Sequence, residues 1–138
     1  MRVLFLCTGN SARSLIAEAL LRHRAEDTAI SVEAASAGTD PQGVNPLTIE
    51  VLADLEIDAS SAISEHLDRY IDEQWDHVIT VCDRAAEACP VFPGAAERRH
   101  WSVPDPAAVQ GDHEQRLEAF WVARDDLDGH IRRLIAER

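Results

Sequence analysis

The stretch Arg2-Val3-Leu4-Phe5-Leu6-Cys7-Thr8-Gly9-Asn10-Ser11-Ala12-Arg13-Ser14 decides the fold. Its first part is a short apolar run, fit for a strand covered on both faces. Its second part is small and polar. From residue 12 to 26, Leu15, Ile16, Ala19, Leu20 and His23 recur at helical spacing. A buried strand, a tight loop and a helix therefore follow one another directly.

Working outward, residues 30–35 read as a second strand, and the turn formers of 36–43 as a loop. Asn45-Pro46 is a helix start, with Asn as N-cap and Pro in the first turn. Leu47, Val51, Leu52 and Leu55 carry that helix to about residue 56. Ser64 can cap a further short helix through Leu67, Tyr70 and Ile71. Residues 77–81 form a third strand that ends at Cys82. The alanines, prolines and Gly94 of 83–97 predict a partly helical, mobile segment, and 98–103 a fourth strand. From Asp112 onward, Leu117, Phe120, Trp121, Leu127, Ile131, Leu134 and Ile135 mark a long amphipathic helix.

Alternating strands and helices indicate an α/β fold: one domain over 1–138, an open parallel four-stranded sheet flanked by helices. In such sheets ligands bind beyond the carboxyl ends of the strands, where the strand order reverses. In a flavodoxin-like order 2-1-3-4, strands one and three are neighbours there. Cys7 and Cys82 then face each other across one crevice.

Composition narrows the function. Of 138 residues, 46% are hydrophobic and 28% charged, which suits one globular core. The formal net charge of −12 disfavours nucleic acid and anionic membranes as partners. Screening over about 8–10 Å leaves a small anion free to answer to the local field of its binding loop. The apolar start is too short for a signal peptide or a membrane span, so a cytoplasmic protein is expected. Three cysteines (Cys7, Cys82 and Cys89) make no disulfide framework, and scattered histidines make no zinc site. A core of this size suits a monomer.

The loop itself carries chemistry. Gly9 allows a turn, so that backbone N–H groups of Thr8, Gly9, Asn10, Ser11 and Ala12 can line an anion nest. The following helix adds its positive end. Arg13 can grip two oxygens of a tetrahedral oxyanion with its planar fork. The same field favours the Cys7 thiolate, a nucleophile aimed at the bound anion, and Ser14 can donate a hydrogen bond to its sulfur. Asp105, in Val103-Pro104-Asp105-Pro106, reads equally as a turn residue and as a carboxyl held over the nest. Cys82 and Cys89 read either as ordinary buried thiols or as redox partners of Cys7. Trp75, Trp101 and Trp121 read as packing residues. Arg98, Arg99 and His100 form a local basic cluster, by default at an exposed strand end.

On these motifs the chain resembles the low-molecular-weight protein tyrosine phosphatase superfamily. They are the Cys7–Ser14 loop, Val81-Cys82-Asp83 followed by Cys89-Pro90, and His100-Trp101 leading to Asp105-Pro106. Within the superfamily it is similar to the thioredoxin-coupled arsenate reductases, which add the two later cysteines. The resemblance covers essentially the whole chain. It implies that Cys7 attacks arsenate held by the loop and Arg13, with Asp105 as general acid. It further implies a relay in which Cys82 and then Cys89 take up the disulfide, and thioredoxin or a related dithiol restores the thiols. The alternative it allows is a tyrosine phosphatase using Cys7, Arg13 and Asp105, here without the aromatic residues that usually follow that aspartate. Weak phosphatase activity is expected in either case. No organic cofactor is implied. Some members hold a potassium ion, and Asn10, Glu18, Ser36 and Glu65 stand at positions resembling its ligands, Glu65 among residues that differ. Otherwise Asn10 and Ser36 would bond the loop backbone, and Glu18 would be a solvated helix residue.

Overall fold

The computed structural model describes residues 1–88 and 92–137. Four parallel strands form one sheet: β1 (Arg2–Cys7), β2 (Glu33–Gly38), β3 (Trp75–Thr80) and β4 (Ala95–His100), in the order β2-β1-β3-β4. Helices α1 (Arg13–Glu26), α2 (Pro46–Ala53), α3 (Asp83–Ala88) and α4 (His113–Ala136) connect and cover them. This is the expected α/β architecture and strand order.

The central strand β1 is buried on both sides, and alternation sorts its residues into two cores. Val3, Phe5 and Cys7 pack with Ile16, Leu20, Ile79, Leu127 and Ile131 under the helices. Leu4 and Leu6 pack on the opposite face with Leu67, Trp75, Val78 and Phe92. Helices α1 and α4 are tied together by a bidentate pair. Arg24 Nε and Nη2 donate to the Asp128 carboxylate at 2.9 and 2.8 Å. Asp112 starts α4 with a capping box that includes Gln115. No helix of the described residues is long and apolar enough to cross a membrane.

Several boundaries differ from the sequence reading. The second strand is Glu33–Gly38 and not 30–35, because pairing with β1 runs from Arg2 opposite Glu33 to Cys7 opposite Gly38. Small residues that read as a turn are strand here, since tertiary burial overrides weak β propensity. The third and fourth strands likewise begin earlier, at Trp75 and Ala95, which stand opposite each other. The region after Ser64 forms only a single 3-10 turn, Leu67–Arg69, capped by His66. Trp75 and Trp101 are buried, but Trp121 is 40% exposed. Helix α2 is capped by Asn45 as expected but ends at Ala53. Its end is closed by Glu56 N–H to Ala53 O and Ile57 N–H to Leu52 O, with Glu56 at φ 61. That is a Schellman motif with glutamate where glycine is usual, so no glycine announced it.

Two outcomes follow from this backbone. Glu56→Gly relieves a left-handed non-glycine residue and should stabilise the fold by about 0.5–1 kcal/mol in urea titration. Gly38→Ala should do the reverse. An added Cβ would sit 2.4 Å from Thr8 O and 3.0 Å from Asn10 N. A loss of about 1–3 kcal/mol is expected, together with weaker phosphate binding by calorimetry, because the clash falls on the anion loop.

Candidate active site

The loop between β1 and α1 is shaped by where its carbonyl groups go. Cys7 O accepts from Thr39 N–H, Thr8 O from Asp40 N–H, Gly9 O from Gln42 N–H and Ser11 O from Asn45 N–H, at 2.9–3.3 Å. The Thr48 and Ser64 hydroxyls donate to Ser11 O and Gly9 O. In a trans peptide the N–H opposes the carbonyl, so oxygens engaged outside leave the amides turned inward. One of them, Asn10 N–H, donates to Cys7 Sγ at 3.2 Å. Helix α1 begins at Arg13 with no side-chain cap on its amides and no acidic residue in its first turn. Its positive end is left for a ligand.

The turn itself falls to Asn10, not Gly9: Asn10 has φ 44, and asparagine tolerates that region better than most residues. Gly9 matters for space, since a Cβ there would meet Gln42 and Ser11 side chains at 3.3 Å. Asn10 is fully buried. Its Nδ2 donates to Ser14 Oγ at 2.8 Å and Ser36 Oγ at 3.0 Å, and its Oδ1 accepts from Glu65 N–H at 2.8 Å. Ser14 Oγ lies 2.8 Å from Cys7 Sγ. Because Asn10 donates to that oxygen, the Ser14 hydroxyl proton is free to point at the sulfur. Two donors thus converge on Cys7, which suits an anionic nucleophile.

Arg13 reaches over the loop as expected. Its Nη1 donates to Val103 O at 2.9 Å, and its Nη2 lies 3.9 Å from Asp105 Oδ2. Asp105 answers to both of its readings: it faces Arg13, and its Oδ1 caps the turn Pro106–Ala108 through Ala107 N–H. Cys82 is buried at the end of β3. Its sulfur is 3.5 Å from Thr8 Oγ1 and accepts Ala85 N–H at 3.4 Å. Cys7 and Cys82 are both free thiols and line one cavity of about 630 Å³ with Arg13, Asp105 and Arg84. Arg84 escaped the sequence reading, although it directly follows the Val81-Cys82-Asp83 motif. Cys89 lies outside the described residues.

The residues singled out for a potassium ion do converge, but not as a set of open oxygens. The Asn10 oxygen is taken by Glu65 N–H, and its nitrogen faces Ser36. Ser36 Oγ donates to Glu18 Oε1 at 2.6 Å. Arg22 Nη1 meets the other Glu18 oxygen at 2.8 Å. The Glu65 carboxylate is engaged by Tyr70 and Arg69. Burial, opposed by these partners, holds Glu18 above the usual carboxylate range. Burial and Glu65 together push the Tyr70 hydroxyl up to about 12. In this arrangement the side-chain oxygens of all four residues have protein partners, and Glu18 is a half-buried anchor of the loop, not a solvated helix residue. The basic cluster is also engaged elsewhere: Arg99 pairs with Glu97 and Glu137, and His100 with Asp83.

Comparison with known proteins agrees with this geometry. A curated arsenate reductase of Shouchella clausii is 35% identical over 131 residues, covering 95% of this chain and 92% of that protein. The solved structure of an arsenate reductase in a phosphate-binding state superposes with a TM-score of 0.83. It is 25% identical and covers 99% of this chain and 97% of that one. A thioredoxin-dependent arsenate reductase of Corynebacterium glutamicum gives a TM-score of 0.72 at 30% identity, over 99% of this chain and 60% of that one. The family model described as low molecular weight phosphotyrosine protein phosphatase matches residues 2–137, and the chain belongs to that family.

Proposed function

We propose that this protein reduces arsenate to arsenite by a thiol relay through Cys7, Cys82 and Cys89. The observation that carries the proposal is the second thiol in the oxyanion cavity: Cys82 lines the same cavity as Cys7, with Thr8 beside it. A phosphatase needs Cys7, Arg13 and Asp105 alone. The relatives named as arsenate reductases support the same reading.

In this mechanism the inward amides and Arg13 hold arsenate, and the Cys7 thiolate attacks arsenic. An As–O bond breaks, and the departing oxygen takes a proton from Asp105 and leaves as water. The Cys82 thiolate then attacks Cys7 Sγ. The S–As bond breaks with its electron pair staying on arsenic, so As(V) becomes As(III) while two thiols become the Cys7–Cys82 disulfide. Cys89 attacks Cys82 Sγ, releases the Cys7 thiolate and leaves a Cys82–Cys89 disulfide. A dithiol of the thioredoxin type supplies the two electrons that close the cycle. Such a reductant belongs to a reducing compartment such as the cytoplasm, and one chain, acting as a monomer, holds all three thiols.

Aryl-phosphate hydrolysis is the second reading, favoured by the family description and by the intact Cys7, Arg13 and Asp105 set. Among the described residues, the cavity wall around Asp105 is Ser102, Val103, Pro104 and Ala107, with no ring to stack on a tyrosyl leaving group. Phosphatase activity is therefore a weak side reaction of the same loop.

The decisive measurement is arsenate-dependent NADPH oxidation with thioredoxin and thioredoxin reductase. The wild type should turn over, and Cys82→Ser and Cys89→Ser should each fall to background. If both variants match the wild type, the relay is wrong. Strong nitrophenyl phosphate hydrolysis without arsenate turnover would establish the phosphatase instead. Within the same assay, Ser14→Ala removes one donor from the Cys7 sulfur. It should lower kcat about 10–100-fold with little change in KM, as expected for a hydrogen bond to a charged group.

A further inference from the structure

Helix α3 has six residues, Asp83–Ala88, too few to hold itself in place. Only Ala85 among its described side chains is fully buried. Something else must fix the turn that carries Cys82, and the polar groups around its start supply it. His100 Nε2 lies 2.7 Å from Asp83 Oδ1, and Ser102 Oγ donates to the same oxygen at 3.1 Å. The other ring nitrogen, Nδ1, is 2.8 Å from Thr80 Oγ1. Thr80 is itself buried and stands opposite His100 in the β3–β4 register.

The imidazole therefore bonds the residue two before Cys82 and the residue one after it. Cys82 sits inside a small ring closed by Thr80, His100 and Asp83. We propose that His100 is a positioning residue for the second chemical step. It pins the chain on both sides of Cys82 and so holds that thiol at the cavity, beside Thr8 of the Cys7 loop. The proposal rests on the thiol relay for its place in the reaction. It also makes a claim about geometry that does not depend on arsenate.

The direction of the bond is set by Asp83. Its hydrogen bonds from His100 and Ser102 hold its carboxyl below the usual carboxylate range, so at neutral pH it accepts and Nε2–H donates. The Asp83 side chain is nevertheless 72% exposed. A bond so open to water is strong enough to orient a short turn and weak enough to part when a later thiol exchange needs that turn to move. Asp83 and Ser102 line the oxyanion cavity but His100 does not, and it bonds neither the Cys7 loop nor Arg13, so its removal should leave those in place.

The test uses the full chain carrying Cys89→Ser, which stops the exchange at the Cys7–Cys82 disulfide. The rate of that disulfide is followed by quenching and mass analysis in two arms, one started with arsenate and one with diamide, a general thiol oxidant. In both arms His100→Ala should slow the bond at least 10-fold, while its affinity for inorganic phosphate stays within twofold. His100→Gln, which keeps a donor toward Asp83, should recover part of the rate. Wild-type rates for His100→Ala with diamide, or equal loss of phosphate binding and disulfide formation, would overturn the positioning role. So would a parent protein that fails to form the bond even with diamide. A parent that closes the bond with diamide but not with arsenate would sink the relay, and the diamide arm would still decide the role of His100.

Discussion

Asn10 sits at the centre of the molecule's chemistry as a fully buried side chain in left-handed backbone. A buried amide is costly unless each of its groups is paired, and here it is paired on both sides. Through Ser14 it directs a proton at the Cys7 sulfur, and through Ser36 it reaches Glu18 and Arg22. Through its oxygen it receives the backbone of Glu65, which also accepts Gly38 N–H at the end of β2. One residue thereby ties the anion loop to α1, to β2 and to the segment that follows α2. Protein hydrogen bonds alone hold the loop amides turned inward, which lowers the cost of arranging them for an anion.

The sheet does the remaining placement. β1 and β3 are adjacent and parallel, so the chain leaves both at the same edge, and Cys7 and Cys82 emerge together. Thr8 touches the second sulfur because the first strand delivers it there. Arg13, the first residue of α1, reaches back to Val103 and Asp105, which arrive from the end of β4. Cys7, Arg13, Asp105 and Cys82, the nucleophile, anion clamp, acid and second thiol of the proposed mechanism, therefore come from three strand ends of one sheet. The order β2-β1-β3-β4 is what makes them neighbours.

Much of this was legible in the sequence, for identifiable reasons. Strand, small loop and helix around Cys7 are dictated by local pattern, and the alternation of elements leaves few topologies to choose from. Asn45-Pro46 and Asp112 announce their helices because capping is a short-range matter. The end of β2 was missed because Ser36, Ala37 and Gly38 have no strand signal of their own; only pairing with β1 makes them a strand. Glu56 hid the end of α2 because glutamate seldom takes a left-handed backbone. The surroundings of the four residues matched to a cation site were hidden for a similar reason. Four residues matched in type, but no pattern in the chain told which way the Asn10 amide would face or that Arg22 would already hold Glu18.

Charge shows how local the active site is. A chain of net charge −12 repels anions at a distance, yet its cavity is built to hold one. Beyond about a Debye length that repulsion is screened, so it slows encounter without setting affinity. Inside the cavity the amide nest, the start of α1 and the Arg13 fork act at hydrogen-bond distance, where the effective dielectric is lower. Asp105 makes only a loose ion pair with Arg13, at 3.9 Å and without a hydrogen bond, so it stands at the anion's edge and leaves the fork largely open. The same separation lets the guanidinium turn toward an incoming oxyanion by giving up only its bond to Val103 O. A polyanion would meet the acidic surface over its whole length. A small tetrahedral anion meets mainly the loop, and selection by size follows from that difference.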